Sequence, residues 1–232
     1  MKYAIIGAGG TGGCLGFFLK KAGKDVTLIA RGKHLEAIRK NGLTIQKLWD
    51  ESRETLPVKA CTAEEYKEIP DVILVCIKGY SMDETVPTIK KIAGKETVVI
   101  PILNIYGTGG RLQKKLPELT VTDGCIYVSA NIMEPGVILQ HGKILRVVFG
   151  ARKPEEETEK MREVAKDMVT DDLEVILSEN IRRDAMVKFS YVSPIGAAGL
   201  YCNAVAADFQ REGEQREMFK ALIREIVALS HA

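Results

Sequence analysis

Tyr3-Ala4-Ile5-Ile6-Gly7-Ala8-Gly9-Gly10-Thr11-Gly12 is the stretch that decides the fold, because an apolar run enters a glycine-rich turn there. A helical pattern follows and ends in Lys20-Lys21-Ala22-Gly23. This order of strand, turn and helix is typical of a dinucleotide site: Gly7 permits a tight turn, Gly9 admits a pyrophosphate and Gly12 packs on the sheet. The N–H groups of the first helical turn then face the anion. We therefore predict a cofactor-binding turn made of Gly7, Ala8, Gly9, Gly10, Thr11 and Gly12.

The residue that follows the second predicted strand bears on the choice of cofactor. This strand, Asp25–Ala30, ends at Arg31, where a site for NAD usually carries Asp or Glu to bind the ribose hydroxyls. Arg31, with Lys33 close behind, favours NADP, since a charge-assisted bond from a guanidinium to the additional phosphate contributes about 1.5 to 3 kcal/mol. The alternative is that both cations are solvated loop residues. We predict NADP, in its reduced form NADPH, as the cofactor.

Composition limits the classes of partner. With 232 residues, 46% of them apolar and 28% charged, the chain has the composition of an ordinary globular enzyme. Its formal net charge of +2 is too small to indicate nucleic acid or a membrane surface as a partner. A small molecule is therefore the expected partner.

Neither a metal site nor export is suggested by the sequence. Five cysteines and three histidines are scattered along the chain, without the spacing of a disulfide framework or a zinc site. Ala4–Leu19 is apolar, but it contains too many glycines for a signal sequence and is too short to span a bilayer. We predict a cytoplasmic protein.

Alternating apolar and helical segments predict a doubly wound α/β domain of Rossmann type over residues 1–178. Asp71–Ile77 and Thr97–Leu103 are apolar throughout, as expected for central parallel strands buried on both faces. Helices are predicted at Leu35–Lys40, Met82–Ala93, Gly107–Leu116 and Pro154–Val169. Further strands are predicted with Leu43–Ile45 and Pro57–Ala60 at the edge, Val121–Ala130, Gly136–Leu139 and Ile144–Phe149 closing the sheet, and Leu173–Ser178 last.

From Glu179 onward the pattern is helical only, which predicts a second, all-helical domain over residues 179–232. One helix starts at Asn180 and is expected to break near Pro194, and another covers Gln215–Ala232. The last helix is amphipathic, so its apolar stripe must pack on something, and little helical partner is present. We therefore expect this domain to be partial and to pair with a second copy of the chain, as a homodimer.

Polar side chains that follow the buried strands are the candidates for a ligand site, because ligands lie beyond the carboxyl ends of parallel strands. Lys78 is expected at the crevice mouth, near the cofactor phosphates or the substrate; alternatively it only ends its strand and points to water. Asn104 carries a donor and an acceptor and is predicted to orient a substrate or a water beside the nicotinamide. The alternative for Asn104 is a role in turn geometry before Gly107.

A nicotinamide enzyme that reduces a ketone also needs a general acid. No histidine is well placed for this, but Lys188 lies in an apolar helical segment, Asp184–Val192. Desolvation there lowers the pKa of a lysine and would let Lys188 donate a proton and hold a substrate carboxylate. The alternative is a surface lysine whose stem lies along an apolar face.

These residues resemble the ketopantoate reductases, also called 2-dehydropantoate 2-reductases, which reduce 2-dehydropantoate with NADPH in the route to pantothenate. The resemblance extends from Met1 to about Gly199. It is carried by Gly7–Gly12, Val26–Leu35, Asn41–Leu43, Asp71–Lys78, Asn104, Pro135-Gly136, His141-Gly142, Phe149-Gly150 and Lys188-Phe189.

The resemblance implies a Rossmann-type domain that binds NADP, followed by a helical domain. It implies that 2-dehydropantoate is reduced to pantoate, with the hydride coming from the nicotinamide and the proton from Lys188. Asn104 and Lys188 are implied to contact the substrate. The implied NADP-binding residues are Gly7, Ala8, Gly9, Gly10, Thr11, Gly12, Arg31, Lys78, Asn104 and the backbone of Ala130.

Three departures from the family pattern leave the substrate open. The family usually has Gly after Asn104, where this chain has Ile105, and Asn where it has Val192 and Gly196. The family has further helices that carry a Ser and an acidic residue, and this sequence has no match to them. We expect either a shortened form of a longer chain or a naturally short relative with altered chemistry. The alternatives are a related reductase of another 2-keto or imino acid, and a non-catalytic NADP-binding protein.

Overall fold

The computed structural model describes residues 1–230, so the predicted end of the last helix, at residues 231 and 232, lies outside the described residues. In chain order the strands are β1 (Lys2–Ile6), β2 (Asp25–Ile29), β3 (Leu43–Lys47), β4 (Arg53–Leu56), β5 (Lys59–Cys61), β6 (Val72–Val75), β7 (Val98–Pro101), β8 (Thr120–Val121), β9 (Asp123–Tyr127), β10 (Ala130–Glu134), β11 (Val137–Gln140), β12 (Arg146–Gly150) and β13 (Glu174–Leu177). The α-helices are α1 (Gly10–Lys21), α2 (Gly32–Asn41), α3 (Met82–Ile92), α4 (Thr108–Lys115), α5 (Glu159–Met168), α6 (Ile181–Cys202) and α7 (Glu214–Ser230).

A six-stranded parallel sheet, ordered β5-β2-β1-β6-β7-β8, forms the main sheet. The chain adds β2 and β5 on one side of β1, and β6, β7 and β8 on the other. Helix α1 joins β1 to β2, α3 joins β6 to β7 and α4 joins β7 to β8. This is a doubly wound arrangement with its switch point at the carboxyl end of β1, so the predicted Rossmann-type α/β fold is confirmed.

The central strands are buried on both faces, and alternate residues enter two different hydrophobic clusters. On β1, Tyr3 and Ile5 belong to the cluster that includes residues of α1. Ala4 and Ile6 belong to the cluster that includes residues of α3 and α4. This division follows from the two-residue period of a strand and explains why the central strands are apolar throughout.

Two smaller sheets lie apart from the main sheet, so the prediction that the later strands close the main sheet is wrong. One is ordered β10-β11-β3-β4 and the other β13-β12-β9. The predicted strand Val121–Ala130 is divided among all three sheets, as β8, β9 and the start of β10. At the start of β9, the buried carboxylate of Asp123 accepts a hydrogen bond from the N–H of Gly109 in α4 at 2.7 Å. This bond holds the chain against α4 where the predicted strand would have continued.

Other element boundaries also differ from the prediction. Leu43–Ile45 falls in β3 of the four-stranded sheet and not at the edge of the main sheet, while the polar strand β4 lacks the apolar pattern that would have predicted it. The predicted helix Pro154–Val169 is a short 3-10 helix, Pro154–Glu156, followed by α5. Thr158 starts α5 anew, because its Oγ accepts the N–H of Met161 at 3.3 Å.

The region after β13 is helical, as predicted, but its first helix is not broken. Helix α6 runs from Ile181 to Cys202 with Pro194 inside it, so the expected break near Pro194 is wrong. Proline costs an interior helix about 3 kcal/mol. Here Pro194 is buried, and α6 packs on β9, β12 and α7, so tertiary packing outweighs the local preference. Within residues 1–230, no helix combines the length and apolar character needed to cross a bilayer.

Helix α7 packs partly on α6. The ring of Phe219 lies 5.8 Å from that of Tyr191 and 5.3 Å from that of Phe209, measured between centroids. Val227 and Leu229, near the end of the same helix, are exposed. Part of the predicted apolar stripe is therefore covered within the chain, and pairing of the rest with a second copy stays a prediction.

Candidate functional site

The turn between β1 and α1 is tightly packed at three of its glycines. Gly7 has a φ of +97°, and an ideal Cβ there would lie 2.7 Å from the carbonyl oxygen of Cys76. A Cβ on Gly12 would lie 1.9 Å from the carbonyl oxygen of Gly7, and one on Gly10 would lie 2.2 Å from that of Ala130. A larger residue at any of these positions would force neighbouring atoms to shift. The structure thus brings Ala130, predicted as a backbone contact, against the glycine turn.

The turn is open at Gly9. A Cβ built on Gly9 meets no atom within 4 Å. Gly9 is also the N-cap of α1, and no side chain caps this helix. The first amide groups of α1 therefore face an opening rather than a protein acceptor, which is the arrangement that a helix N-terminus offers to a phosphate. The residues present fit the pyrophosphate of a dinucleotide.

The candidate residues beyond the strands lie at one edge of the main sheet. Neighbouring strands end in register, since Ile6 pairs with both Ile29 and Val75. Val75 in turn pairs with Pro101 of β7. The residues that follow these four strand ends include the predicted site residues Gly7, Arg31, Lys78 and Asn104.

Three cations lie at this edge of the main sheet. Arg31, Lys33 and Lys78 are exposed. None of them takes part in an ion pair among residues 1–230. By contrast, Arg39 of α2 and Lys59 of β5 form ion pairs with Glu65 and Asp25. The edge is therefore positively charged and suited to an anionic ligand.

Sequence reasoning missed one residue of this region as a site residue, namely His34 in the first turn of α2. Its Nε2 lies 2.8 Å from the carbonyl oxygen of Ala8 in the glycine turn. Its Nδ1 accepts the N–H of Gly136 at 3.0 Å. Both partners are distant in sequence, so no local spacing signals this contact; only its place just after Arg31 could have drawn attention to it.

Lys188 lies where α6 packs on β9. Its Nζ is 4.7 Å from the ring centroid of Tyr127, a cation–π contact, and the side chain is half-buried. Desolvation by burial lowers the pKa of Lys188 below its ordinary value of 10.5. The nearby thiol of Cys125 has its own pKa raised to about 11 by burial. Lys188 is thus an ammonium group that releases its proton more readily than an exposed lysine.

The loop that carries Asn104 links the sheet edge to the helix that carries Lys188. A Cβ built on Gly79 would lie 2.0 Å from Cδ1 of Ile105, so Ile105 covers the residue after Lys78. The ring of Tyr106 lies 6.3 Å from that of Phe189, between centroids. Asn104 itself is exposed. The structure therefore links the sheet edge that carries the three cations to helix α6, which carries Lys188, through the ring contact of this loop. The cations can hold an anion, and Lys188 can donate a proton.

Comparisons with known proteins find a family model and relatives that are similar to this chain. The family model described as ketopantoate reductase PanE/ApbA matches residues 3–154. The chain is 33% identical over 202 residues to the 2-dehydropantoate 2-reductase of Pyrococcus horikoshii, covering 85% of this chain and 64% of that protein. It is 29% identical over 193 residues to the uncharacterized oxidoreductase YkpB of Bacillus subtilis, covering 83% of this chain and 62% of that protein.

A solved structure has the same fold. The 2-dehydropantoate 2-reductase of Porphyromonas gingivalis W83 matches with a TM-score of 0.85 at 29% identity, over 99% of this chain and 81% of that chain. The chain spans just under two-thirds of the length of the Pyrococcus and Bacillus proteins. The family model covers more than half of the chain, including the glycine turn and the residues at the sheet edge, although Lys188 lies beyond it. On this match the chain belongs to the ketopantoate reductase family.

Proposed function

We propose that this chain carries the NADPH site and the general acid of a reductase that converts a 2-keto acid to a 2-hydroxy acid. The first candidate reaction is the reduction of 2-dehydropantoate to pantoate, since curated relatives bear the name of that activity. Three features meet at one sheet edge and carry the proposal: an open glycine turn, cations without an ion pair among residues 1–230, and a loop in contact with the helix of Lys188.

The glycine turn and the cations bind different anionic parts of the cofactor. The open side at Gly9 and the amides of α1 receive the pyrophosphate, and the backbone of Ala130 forms a wall beside Gly10. Arg31 and Lys33 bind the phosphate that distinguishes NADP from NAD. Lys78 adds a third positive charge beyond β6. When bound, NADPH supplies the hydride that the keto carbon accepts.

Lys188 provides the proton. An N–H of its ammonium donates a hydrogen bond to the keto oxygen, and the proton moves to that oxygen as the C=O bond becomes single. The lowered pKa favours this transfer, because a lysine at its ordinary value holds its proton too firmly. Asn104 orients the substrate, and the half-buried position of Lys188 leaves a path for solvent to restore its proton.

The test compares turnover with cofactor binding. Lys188→Ala is expected to lose most NADPH oxidation with 2-dehydropantoate, while NADPH binding measured by calorimetry stays nearly unchanged. Lys188→Arg keeps the charge but cannot give up its proton, so it should be as inactive as Lys188→Ala. Lys114→Ala, which removes an exposed lysine of α4, serves as the control. Turnover that survives in Lys188→Ala would show that Lys188 is structural.

A second candidate function is the reduction of a different 2-keto acid, or of an imino acid. The observation that favours it is the position of Ile105, which covers Gly79 at the mouth of the site. A panel of keto acids that differ in side-chain size and hydroxylation, with NADPH oxidation as the readout, separates the two reductases. Tight NADPH binding without oxidation of any keto acid would favour a non-catalytic NADP-binding protein.

The division of the chain is part of the same proposal. Residues 1–178 form the NADP-binding unit, and residues 179–232, of which the last two lie outside the described part, contribute to the substrate site and to a homodimer. Leu200, Tyr201 and Val205 are exposed at the end of α6 and just after it, where a second copy of the chain would cover them. Sedimentation velocity over a range of concentrations tests the homodimer. The predicted cytoplasmic location also belongs to this proposal.

A further inference from the structure

His34 joins three segments of the chain that are far apart in sequence. A carbonyl oxygen can only accept and a backbone N–H can only donate. The bond to Ala8 at 2.8 Å therefore requires a proton on Nε2, and the bond from Gly136 at 3.0 Å requires a free lone pair on Nδ1. The geometry specifies the neutral Nε2–H form of the ring. Burial lowers the pKa of His34, which favours this neutral form.

Both hydrogen-bond partners of His34 lie in turns of the chain. Ala8 lies inside the glycine turn, next to the residue whose outer side is open. Gly136 turns the chain between β10 and β11 with a φ of +82°, and its ideal Cβ would lie 3.1 Å from that of Ala37, one helical turn after His34. The β10–β11 turn thus packs on α2 at two points, through the ring of His34 and through Ala37.

The same helical turn carries the predicted phosphate-binding cations. Arg31 is the N-cap of α2, and Lys33 directly precedes His34. Because the first turn of a helix is a rigid unit, the bond from His34 to Ala8 also sets the distance between the glycine turn and Arg31. Two phosphates of one ligand must fit that distance at the same time.

We propose that His34 is a positioning residue for NADPH, which holds the glycine turn, the start of α2 and the β10–β11 turn in one arrangement and thereby sets the preference for NADPH over NADH. The inference rests on the proposed NADPH binding. NADPH uses both the turn and the cations of α2, whereas NADH lacks the phosphate that would reach Arg31. Loss of the ring's bonds therefore weakens NADPH binding more than NADH binding, a difference that a purely structural role would not produce.

The experiment measures the dissociation constants of NADPH and NADH by calorimetry for the wild-type chain and its variants. His34→Phe keeps a ring of similar size but loses both hydrogen bonds, and it is expected to weaken NADPH binding about tenfold, the size of one or two neutral hydrogen bonds. NADH binding should weaken clearly less. His34→Gln places an amide N–H near the former Nε2 and should recover part of the lost NADPH affinity.

Arg39→Gln is the matched control on the other side of α2. Its Nε donates to the carbonyl oxygen of Ala60 at 3.0 Å, and its guanidinium pairs with Glu65, so the variant loosens the same helix without touching the glycine turn. Its thermal stability should fall while both dissociation constants stay unchanged. A long-range ¹H–¹⁵N spectrum of the wild-type chain at neutral pH should show a proton on Nε2 of His34 and none on Nδ1.

Three results would overturn the inference. One is an unchanged ratio of NADPH to NADH affinity in His34→Phe, and another is a change of that ratio in Arg39→Gln as large as in His34→Phe. The third is a protonated Nδ1 in the wild-type spectrum. This measurement tests the tautomer of His34 even if His34→Phe does not fold. A wild-type chain that binds neither cofactor would instead contradict the proposed function, and this inference with it.

Discussion

Replacing Arg31 by glutamate is expected to weaken NADPH binding by more than tenfold and to leave NADH binding nearly unchanged. Arg31 is exposed and has no ion pair among residues 1–230, so its guanidinium is available to a ligand without breaking a protein contact. A charge-assisted bond to a phosphate contributes about 1.5 to 3 kcal/mol, which corresponds to about ten- to a hundredfold in affinity. A carboxylate in its place adds repulsion of the phosphate to this loss.

Because Arg31 is exposed, the loss of NADPH affinity is limited by solvent screening and should depend on salt concentration. Exposed charges are screened over about 10 Å at 0.1 M salt and over about 3 Å at 1 M. The loss caused by Arg31→Glu should therefore shrink as ionic strength rises. The free energy of unfolding should change little, because Arg31 forms no ion pair among residues 1–230 that the substitution would break.

The assay is calorimetric titration with NADPH and NADH at two salt concentrations. Lys40→Glu is the matched control, since it makes the same change of charge at the exposed far end of the same helix, α2. Lys40→Glu should bind both cofactors as the wild type does. Equal losses for NADPH and NADH in Arg31→Glu, or equal effects of the two variants, would refute the assignment of the phosphate to Arg31.

Three further predictions concern the proton, the glycine turn and the pocket. Because burial lowers the pKa of Lys188 and the acid form donates the proton, turnover should fall as pH rises through a value below 10.5, as a profile of kcat against pH would show. Gly10→Ala should lose about 1 to 3 kcal/mol of stability, since its Cβ would lie 2.2 Å from the carbonyl oxygen of Ala130. Gly9→Ala should melt like the wild type, since its Cβ enters open space, but it should bind NADPH more weakly because that space is where the pyrophosphate is proposed to bind. Equal melting temperatures of the two variants would contradict this. Ile105→Gly should improve kcat/KM for keto acids with larger side chains, and an unchanged order of substrates in the panel would exclude Ile105 as a determinant.

Local sequence was sufficient to predict the sheet edge, because every feature needed lies within a few residues. The glycines after β1, the cations after β2 and β6 and the amide after β7 follow apolar runs, and parallel strands end at a common edge. The assignment of strands to sheets was not predictable in this way. The local sequence of Val121–Ala130 does not tell which sheet each part joins, since that depends on contacts such as the one between Asp123 and the N–H of Gly109.

The residues of the candidate site also differ in whether the local sequence is sufficient to predict their contacts. The contacts of His34 join positions separated by 26 and 102 residues, and no periodicity in the sequence encodes them. The lowered pKa of Lys188 also comes from tertiary structure, because the helix lies on β9 and places the ammonium beside Tyr127. Spacing alone therefore left Lys188 open between a general acid and a surface lysine.

The two halves of the proposed site are built from different parts of the chain. The cofactor half uses the turns after β1, β2 and β6, which are fixed by backbone contacts such as that of Gly12 with Gly7. The substrate half uses the loop after β7 and one face of α6, which meet through the rings of Tyr106 and Phe189. Side-chain contacts of this kind change with a single substitution, whereas the glycine turn tolerates almost none. The departures at Ile105, Val192 and Gly196 all fall in the proposed substrate half, so we expect this chain to differ from its family in the keto acid more readily than in the cofactor.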